Sequence, residues 1–168
     1  MWWGRRKKQP QRVEPFSIGE RLQVDVHSHL VPGVDDGAKD LESSLALVDQ
    51  LVSLGYRGAV LTPHIYAGLY PNSMDTLREP FDALVTAVKE RHPAFRLHLA
   101  AEYFTDEHFM ECIQRNDVMS FAVGDAQAVL FEMGFQEAAP NVHEAVFELQ
   151  LNGYQPVLAH VERYPYLV

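Results

Sequence analysis

The sequence predicts an α/β fold with a parallel sheet, and three observations support this prediction. Short apolar segments alternate along the chain with longer segments of helical period. The connections between the apolar segments are long enough to hold a helix, as parallel strands require. The loop after the first strand is acidic and lacks a glycine-rich fingerprint, which argues against a dinucleotide-binding fold. Right-handed crossovers leave an open doubly wound sheet and a closed β/α barrel as the two main architectures.

Five strands are predicted from the apolar segments. They lie at residues 22–27, 58–62, 96–100, 128–131 and 156–159. In the first strand, Val24 and Val26 alternate with polar residues, which is the period of extended chain. The second strand ends before Pro63, because proline cannot continue a central strand ladder. Each later strand follows a segment of helical length, so the predicted order is β-α-β-α-β-α-β-α-β.

Four helices are predicted between these strands. They lie at residues 41–54, 74–91, 106–114 and 142–151. Asp40 is the predicted N-cap of the first helix, and Gly55 lies where helices commonly end. Pro80 is expected either to kink the second helix or to begin its main body. Asn141, with Glu144 three residues later, resembles a capping box for the last helix.

Length and composition indicate one domain at residues 20–168, preceded by a disordered basic tail at residues 1–19. The formal net charge of −9 argues against nucleic acid as the main partner. The single cysteine, Cys112, excludes an internal disulfide framework and favours a reducing, cytoplasmic location. No apolar run approaches the ~18–20 residues of a membrane span. The N-terminal residues also lack the apolar stretch of a signal peptide.

Candidate ligands for a metal ion are concentrated in residues 24–37, VDVHSHLVPGVDDG. His27 and His29 are two residues apart, so a strand presents both on one face. Imidazole is the commonest protein ligand for transition metals, and this pair would form half of a site. Asp35 and Asp36 follow, so a carboxylate can fold back over the strand end. Taken alone, the pattern is equally typical of a strand with an exposed acidic turn.

Each predicted strand ends in a residue that can bind a metal ion. These residues are His27 and His29, His64, Glu102, Glu132 and His160. The chain has only 8 His and 23 Asp or Glu among 168 residues, so five such strand ends are not expected by chance. The carboxyl ends of parallel strands meet at one face, so these side chains should surround one opening, together with Asp35 or Asp36. These ligands are too many for a single four-coordinate ion, so they indicate two or more ions. Mixed histidine and carboxylate ligation suits Mn, Fe or Zn. Such ion clusters activate water and bind a phosphoryl group.

Residues near the strand ends extend this hypothesis to a substrate. Arg163 follows His160 by three residues and would either bind phosphate oxygens or form a structural salt bridge, for example with Glu162. Several loop aromatics would either form a rim for a ring-bearing substrate or only pack. They are Tyr66, Tyr70, Tyr103, Phe104 and Tyr164.

The remaining histidines and the cysteine are predicted to have no catalytic role. Four histidines fall within elements and are expected to be structural or exposed. They are His92, His98, His108 and His143. Cys112 lies in a short predicted helix with no adjacent histidine, so a thiol nucleophile is not expected.

Five motifs, in this order and spacing, resemble the polymerase-and-histidinol-phosphatase (PHP) superfamily. They are DVHSHLVPGVDDGAKD, LTPH, AAEYF, LFEM and LAHVERYP, and the likeness covers about residues 22–166. The likeness is strongest to the manganese-dependent bacterial tyrosine phosphatases of capsule and exopolysaccharide operons. HSH followed by VDDG, together with AHxERY, separates this branch from the histidinol-phosphate phosphatases.

The resemblance implies a distorted (β/α)₇ barrel with a trinuclear manganese site. By motif position, the ligands fall into three sets. They are His27, His29 and Glu102 for the first ion, Glu102, Glu132 and His160 for the second, and Asp36 with His64 for the third. Arg163 would contact the substrate phosphate. The implied reaction is hydrolysis of phosphotyrosine by metal-activated water, on the tyrosine-rich tail of a membrane-bound bacterial tyrosine autokinase.

Members of this family continue past the ERYP motif with further strands and an Asp-x-His pair that supplies two more ligands. The sequence ends at Val168, so we expect a C-terminally incomplete barrel of about five β/α units with an unpaired strand edge. Two alternatives follow. In the first, the chain is an inactive fragment that binds metal or the kinase. In the second, another copy of the chain or a completing chain supplies the missing strands and ligands. A phosphatase of histidinol phosphate or another small phosphomonoester is the alternative hydrolase.

Overall fold

The computed structural model of the chain describes residues 22–167. Within this range the fold is α/β, as predicted. The strands are β1 (Val24–Ser28), β2 (Gly58–Leu61), β3 (His64–Ile65), β4 (Arg96–Leu99), β5 (Glu102–Phe104), β6 (Phe121–Val123), β7 (Ala126–Glu132) and β8 (Tyr154–Leu158). The helices are α1 (Leu41–Ser53), α2 (Met74–Arg91), α3 (Glu107–Gln114) and α4 (Val142–Leu151), followed by a 3-10 turn at Val161–Arg163. The predicted tail at residues 1–19 lies outside the described residues.

Five parallel strand lines form the sheet, in the order in which they occur along the chain. β2 pairs with β1 and β4, and β5 pairs with β3 and β7. Two strands continue beyond their predicted ends after a break: β3 follows β2 and β5 follows β4. The expectation that the chain leaves the sheet at Pro63 is therefore wrong, because pairing resumes at His64. Backbone hydrogen bonds from Ala100 N to Leu61 O and from Glu102 N to Pro63 O continue the pairing across both breaks. Because Pro63 has no N–H to donate, the ladder is interrupted there and resumes at His64 in the same register.

The sheet is curled, so that its two edge strands approach each other at their carboxyl ends. Among the described residues, β1 pairs only with β2 and β8 pairs only with β7. The rings of His27 on β1 and His160 after β8 nevertheless lie 5.8 Å apart. The sheet therefore forms a half-barrel whose carboxyl ends converge, and this brings residues distant in sequence to one opening.

One strand and one cap differ from the sequence prediction. β6 was not predicted, and it pairs antiparallel with the start of β7. Its three residues, FAV, are too short to show a strand period. The capping box predicted at Asn141 is wrong, because its φ of −96° and ψ of 7° are not extended and its side chain makes no cap hydrogen bond. A capping box occurs instead at Ser73 and Thr76, which begin α2.

The helices otherwise follow their local sequence signals. Asp40 accepts a hydrogen bond from Ser43 N and begins α1, and Gly55 follows its end with a φ of +91°. α2 continues through Pro80 over 18 residues. Apolar side chains from the helices and the sheet form the buried core, including Leu61, Leu77, Leu84, Phe109 and Ile113. Within residues 22–167, no helix combines the length and the apolar character needed to cross a membrane.

Candidate metal centre

Glu102 lies at the centre of the opening, at the start of β5. Its side chain is 1% exposed. Its Oε2 lies 3.1 Å from His27 Nε2, 3.2 Å from His29 Nε2 and 3.4 Å from His64 Nδ1. Its Oε1 lies 3.0 Å from His160 Nε2. One buried carboxylate therefore contacts all four histidines that the sequence places at strand ends.

Glu132 supplies a second carboxylate to the site. It ends β7 and is largely buried. Its Oε1 lies 3.1 Å from His64 Nδ1, and its Oε2 lies 3.4 Å from His160 Nε2. His64 and His160 are thus shared between Glu102 and Glu132, which is the arrangement expected of a cluster that holds more than one ion.

The site leaves buried polar atoms without hydrogen bonds. Among the described residues, these atoms are Glu102 Oε2, His64 Nδ1 and His160 Nδ1. Glu102 Oε2 is within 3.4 Å of three ring nitrogens, yet none of them is aligned to donate to it. Buried unpaired groups are costly and uncommon. Donor atoms that converge on common points instead of on one another fit cations, so the residues present suit a metal cluster.

These side chains include three groups of three residues. Within each group, one ligand atom from each residue lies within 4.8 Å of the other two. The groups are His27, His29 and Glu102; His29, Asp36 and His64; and His64, Glu102 and Glu132. The structure thus brings together all seven residues that the sequence singled out as metal ligands, with His160 joined through Glu102 and Glu132. Nitrogen and carboxylate donors of this mixture suit Mn, Fe or Zn.

The two adjacent aspartates of the acidic turn have different environments. The Asp36 side chain is 66% exposed at the opening, with Oδ1 3.5 Å from His64 Nε2. The Asp35 side chain is fully buried, with Oδ2 2.8 Å from His29 Nδ1. Gly37 permits this turn, because a Cβ there would lie 2.2 Å from the carbonyl oxygen of His29. Of the two aspartates that the sequence left open, Asp36 is the one that faces the opening.

Burial and mixed charge set the ionisation of the site. Burial alone would lower the pKa of His29, but its hydrogen bond to Asp35 and the nearby carboxylate of Glu102 outweigh burial and raise the pKa to about 10. Burial would raise the pKa of Glu102, yet the neighbouring His27 and His29 hold it well below its usual range. In the metal-free protein His29 therefore carries a proton that a cation would displace.

Arg163 lies at the edge of the site and lines the cavity. Its guanidinium carbon lies 4.3 Å from the centre of the Phe135 ring. No carboxylate within residues 22–167 forms an ion pair with it, so the predicted alternative of a salt bridge is not observed. The cation–π contact holds the guanidinium beside the cavity without neutralising it.

The site opens into a cavity of about 660 Å³ with aromatic walls. Three of the five predicted rim residues line it, Tyr66, Tyr70 and Phe104. Tyr103 and Tyr164 do not, because both are fully buried and their hydroxyls accept hydrogen bonds from Met119 N and Met133 N. Sequence reasoning missed further lining residues, including Leu69, Met133 and Phe135. The sequence signal that could have identified Phe135 is its position three residues after the predicted ligand Glu132.

The other histidines lie outside the cavity lining, as predicted. His92 pairs with Asp49, and the His98 ring lies 3.1 Å from the carbonyl oxygen of Ser120. The prediction that Cys112 has no adjacent histidine is wrong, because α3 brings His108 Nε2 to 3.7 Å from its sulfur. Burial raises the pKa of the Cys112 thiol, which disfavours the reactive thiolate.

Several known proteins resemble this chain in sequence. The model of the capsular polysaccharide synthesis family CpsB/CapC matches residues 23–168. Tyrosine-protein phosphatase YwqE of Bacillus subtilis is 32% identical over 143 residues, covering 83% of this chain and 54% of the relative. Tyrosine-protein phosphatase CpsB of Streptococcus agalactiae is 28% identical over 141 residues, covering 84% and 57%.

A solved structure is also similar, from crystals of YwqE from Bacillus subtilis and CpsB from Streptococcus pneumoniae, described as unique metal-dependent tyrosine phosphatases. The TM-score is 0.75 at 28% identity, and the match covers 86% of this chain and 57% of that one. The chain spans about half the length of the relatives it matches. By the extent of the family match and the similarity of fold, the chain belongs to the CpsB/CapC family of capsular polysaccharide synthesis proteins.

Proposed function

We propose that this chain carries the metal-binding part of a manganese-dependent protein-tyrosine phosphatase. The observation that supports this most strongly is the convergence of four histidines on the buried carboxylate of Glu102, whose Oε2 has no hydrogen bond. Relatives that match most of the chain are tyrosine-protein phosphatases. The site and the family therefore point to the same chemistry, the hydrolysis of a phosphoric monoester.

The proposed ligands fall into three sets. They are His27, His29 and Glu102 for the first ion, Glu102, Glu132 and His160 for the second, and Asp36 with His64 for the third. The grouping of His27, His29 and Glu102 within 4.8 Å supports the first set, and the position of Asp36 beside His64 supports the third. Bound there, manganese ions would neutralise charge on a phosphoryl group and activate a water molecule.

Residues around the ligands would bind and orient the substrate. Arg163 would bind the phosphate oxygens, because a planar guanidinium can donate two hydrogen bonds to a pair of them; its position in the cavity lining supports this role. Tyr66, Tyr70 and Phe135 line the cavity and would pack against a phenyl ring. Phosphotyrosine presents both groups at once, so we propose it as the substrate in place of histidinol phosphate or a small sugar phosphate.

We further propose that a (β/α)₇ barrel is completed by residues that correspond to the rest of the relatives. The edges of β1 and β8 are unpaired within the described residues, and Val24 and Val26 are exposed on the outer face of β1. A second copy or a completing chain would cover these edges. The proposed macromolecular substrate is the phosphotyrosine tail of a bacterial tyrosine kinase that acts in capsule or exopolysaccharide synthesis, at a cytoplasmic location.

The test compares two phosphomonoesters at equal concentration with added Mn²⁺. A phosphotyrosyl peptide should be hydrolysed about tenfold or more faster than histidinol phosphate. A second test uses Arg163→Lys, which keeps the positive charge but removes the paired donors of the guanidinium. This variant should hydrolyse the peptide more slowly than the unaltered chain. Equal rates on both substrates would contradict the tyrosine assignment. If neither substrate is hydrolysed, this chain alone does not catalyse the reaction, and a chain that also binds no Mn²⁺ would contradict the proposal as a whole.

A further inference from the structure

We propose that Asp35 is a positioning residue that orients the ring of His29 and the backbone of His64 at the start of β3. Asp36, in contrast, faces the opening in which the metal ions would bind. The inference rests on the proposed metal site, but not on the reaction or the substrate. It assigns different roles to two adjacent aspartates that the sequence alone does not distinguish.

The contacts of Asp35 are all with the protein. Oδ2 is 2.8 Å from His29 Nδ1 and also accepts a hydrogen bond of 3.0 Å from His64 N. Oδ1 accepts a hydrogen bond of 3.0 Å from Gly37 N. The side chain is fully buried. Both oxygens thus have partners within the protein, and Asp35 is not among the residues that line the cavity, so it is not expected to bind a cation directly.

The contact with Asp35 selects the nitrogen that His29 offers to the site. A carboxylate only accepts hydrogen bonds, so Nδ1 must carry the proton that is shared with Asp35. The other nitrogen, Nε2, then lies toward the site, 3.2 Å from Glu102 Oε2. Histidines that bind metals commonly donate their second N–H to a carboxylate, which fixes the orientation of the ring.

Asp35 also joins two strands that carry ligands. His29 directly follows β1 and His64 begins β3, and the Asp35 carboxylate is hydrogen-bonded to both. Asn72 supports the same junction, because its side-chain amide donates to the carbonyl oxygens of Val34 and His64. A change at Asp35 should therefore act on metal affinity through His29 and His64, without removing a ligand.

The test uses Asp35→Asn and Asp36→Asn, which make the same chemical change at neighbouring positions. Binding of Mn²⁺ is measured by equilibrium dialysis at constant pH. Asp35→Asn should weaken binding about 10–100-fold and leave the number of ions unchanged, as expected for an outer partner of a ligand. Asp36→Asn should reduce the number of bound ions. A lost ion in Asp35→Asn, or unchanged affinity, would overturn the inference.

A double-mutant cycle separates positioning from a general loss of structure. In a His29→Ala background, Asp35→Asn should weaken binding far less than it does in the unaltered chain, because its partner is absent. Fold changes that simply multiply would contradict a role through His29. Asp49→Asn, which also removes an aspartate–histidine pair, is the control and should leave Mn²⁺ affinity unchanged.

A measurement on the unaltered chain covers the case in which the variants fail to fold. With diamagnetic Zn²⁺ bound, long-range ¹H–¹⁵N spectra report which ring nitrogen of His29 carries the proton. The proton should be on Nδ1, with the metal on Nε2. A metal on Nδ1 would overturn the inference whether or not the chain hydrolyses phosphotyrosine.

Discussion

Two clusters of histidine and carboxylate occur among residues 22–167, and they differ in how their hydrogen bonds are satisfied. Where α2 ends, Asp49 pairs with Arg91 and with His92, one partner for each carboxylate oxygen. At the carboxyl ends of the strands, Glu102 is surrounded by four histidines, and its Oε2 has no hydrogen bond. Both carboxylate oxygens of Asp49 therefore have partners within the protein, whereas Glu102 Oε2 has none and is left to bind a cation.

This difference shows which histidine–carboxylate contacts indicate a metal site. Short distances occur in both clusters, so proximity alone does not distinguish them. The orphaned atoms distinguish them, since a buried polar group without a partner is costly unless a ligand supplies one. Substitutions in one cluster or the other, with controls outside both, therefore separate an effect on metal binding from an effect on stability.

Glu102→Gln should have the largest effect. The amide keeps the size of the side chain but removes the charge that all four histidines approach, so binding of Mn²⁺ should fall by more than about 100-fold. The matched change in the other cluster, Asp49→Asn, should leave binding unchanged and cost about 1 kcal/mol or less in stability. Both are read by equilibrium dialysis and urea denaturation. Equal effects on metal binding would contradict the distinction between the clusters.

Gly37→Ala should have the next largest effect, because the turn packs directly on His29. The added Cβ would lie 2.2 Å from the carbonyl oxygen of His29 and 2.4 Å from its Cβ, so the backbone must move. We expect a loss of about 1–3 kcal/mol in stability and a loss of Mn²⁺ affinity.

The control for that change is Gly124→Ala. Gly124 has a φ of +60°, but no atom lies within 4 Å of an added Cβ. This variant should lose about 1 kcal/mol from backbone strain, with no change in Mn²⁺ affinity. If Gly37→Ala bound Mn²⁺ as well as Gly124→Ala does, the acidic turn would not position the site.

The stability of the metal-free protein should depend on pH through His29. Its pKa is raised from 6.5 to about 10, so its contribution is fully present below pH 6.5 and is lost as the pH rises to about 10. Unfolding by urea at pH 6.5, 8 and 10 should show this decline, and His29→Gln should reduce its slope. An unchanged slope in that variant would mean that His29 is not the group responsible.

Ser73→Ala should have the smallest effect and none on the metal site. It removes one half of the capping box that begins α2, so we expect a loss of about 1 kcal/mol in stability. Mn²⁺ affinity should stay unchanged. A loss of affinity here would show that metal binding reports general stability, and it would weaken every comparison above.

Sequence patterns predicted the framework and the ligands better than their surroundings. Parallel strands bring their ends to one edge, so His64, Glu102 and His160 could be placed together from their positions alone. The bounds of α2 at residues 74–91 also agree with the structure. These features depend on local period and on strand order, both of which the sequence displays directly.

The features that were missed depend on contacts between distant segments. The roles of Asp35 and Asp36 are set by the direction of a turn, which two adjacent aspartates do not reveal. Tyr164 was expected at the rim, but its hydroxyl accepts a hydrogen bond from Met133 N inside the protein. Phe135 was overlooked because its contact with Arg163 joins two loops that are distant in sequence.

The central claim is that Glu102 bridges cations at the converging strand ends. Anomalous diffraction at the manganese edge from Mn²⁺-loaded crystals tests it most directly. We expect at least two peaks, one bounded by His27, His29 and Glu102 and one beside Glu132, each at roughly 2.0–2.3 Å from its ligand atoms. Peaks at Asp49 instead, or no peak within coordination distance of Glu102, would contradict it.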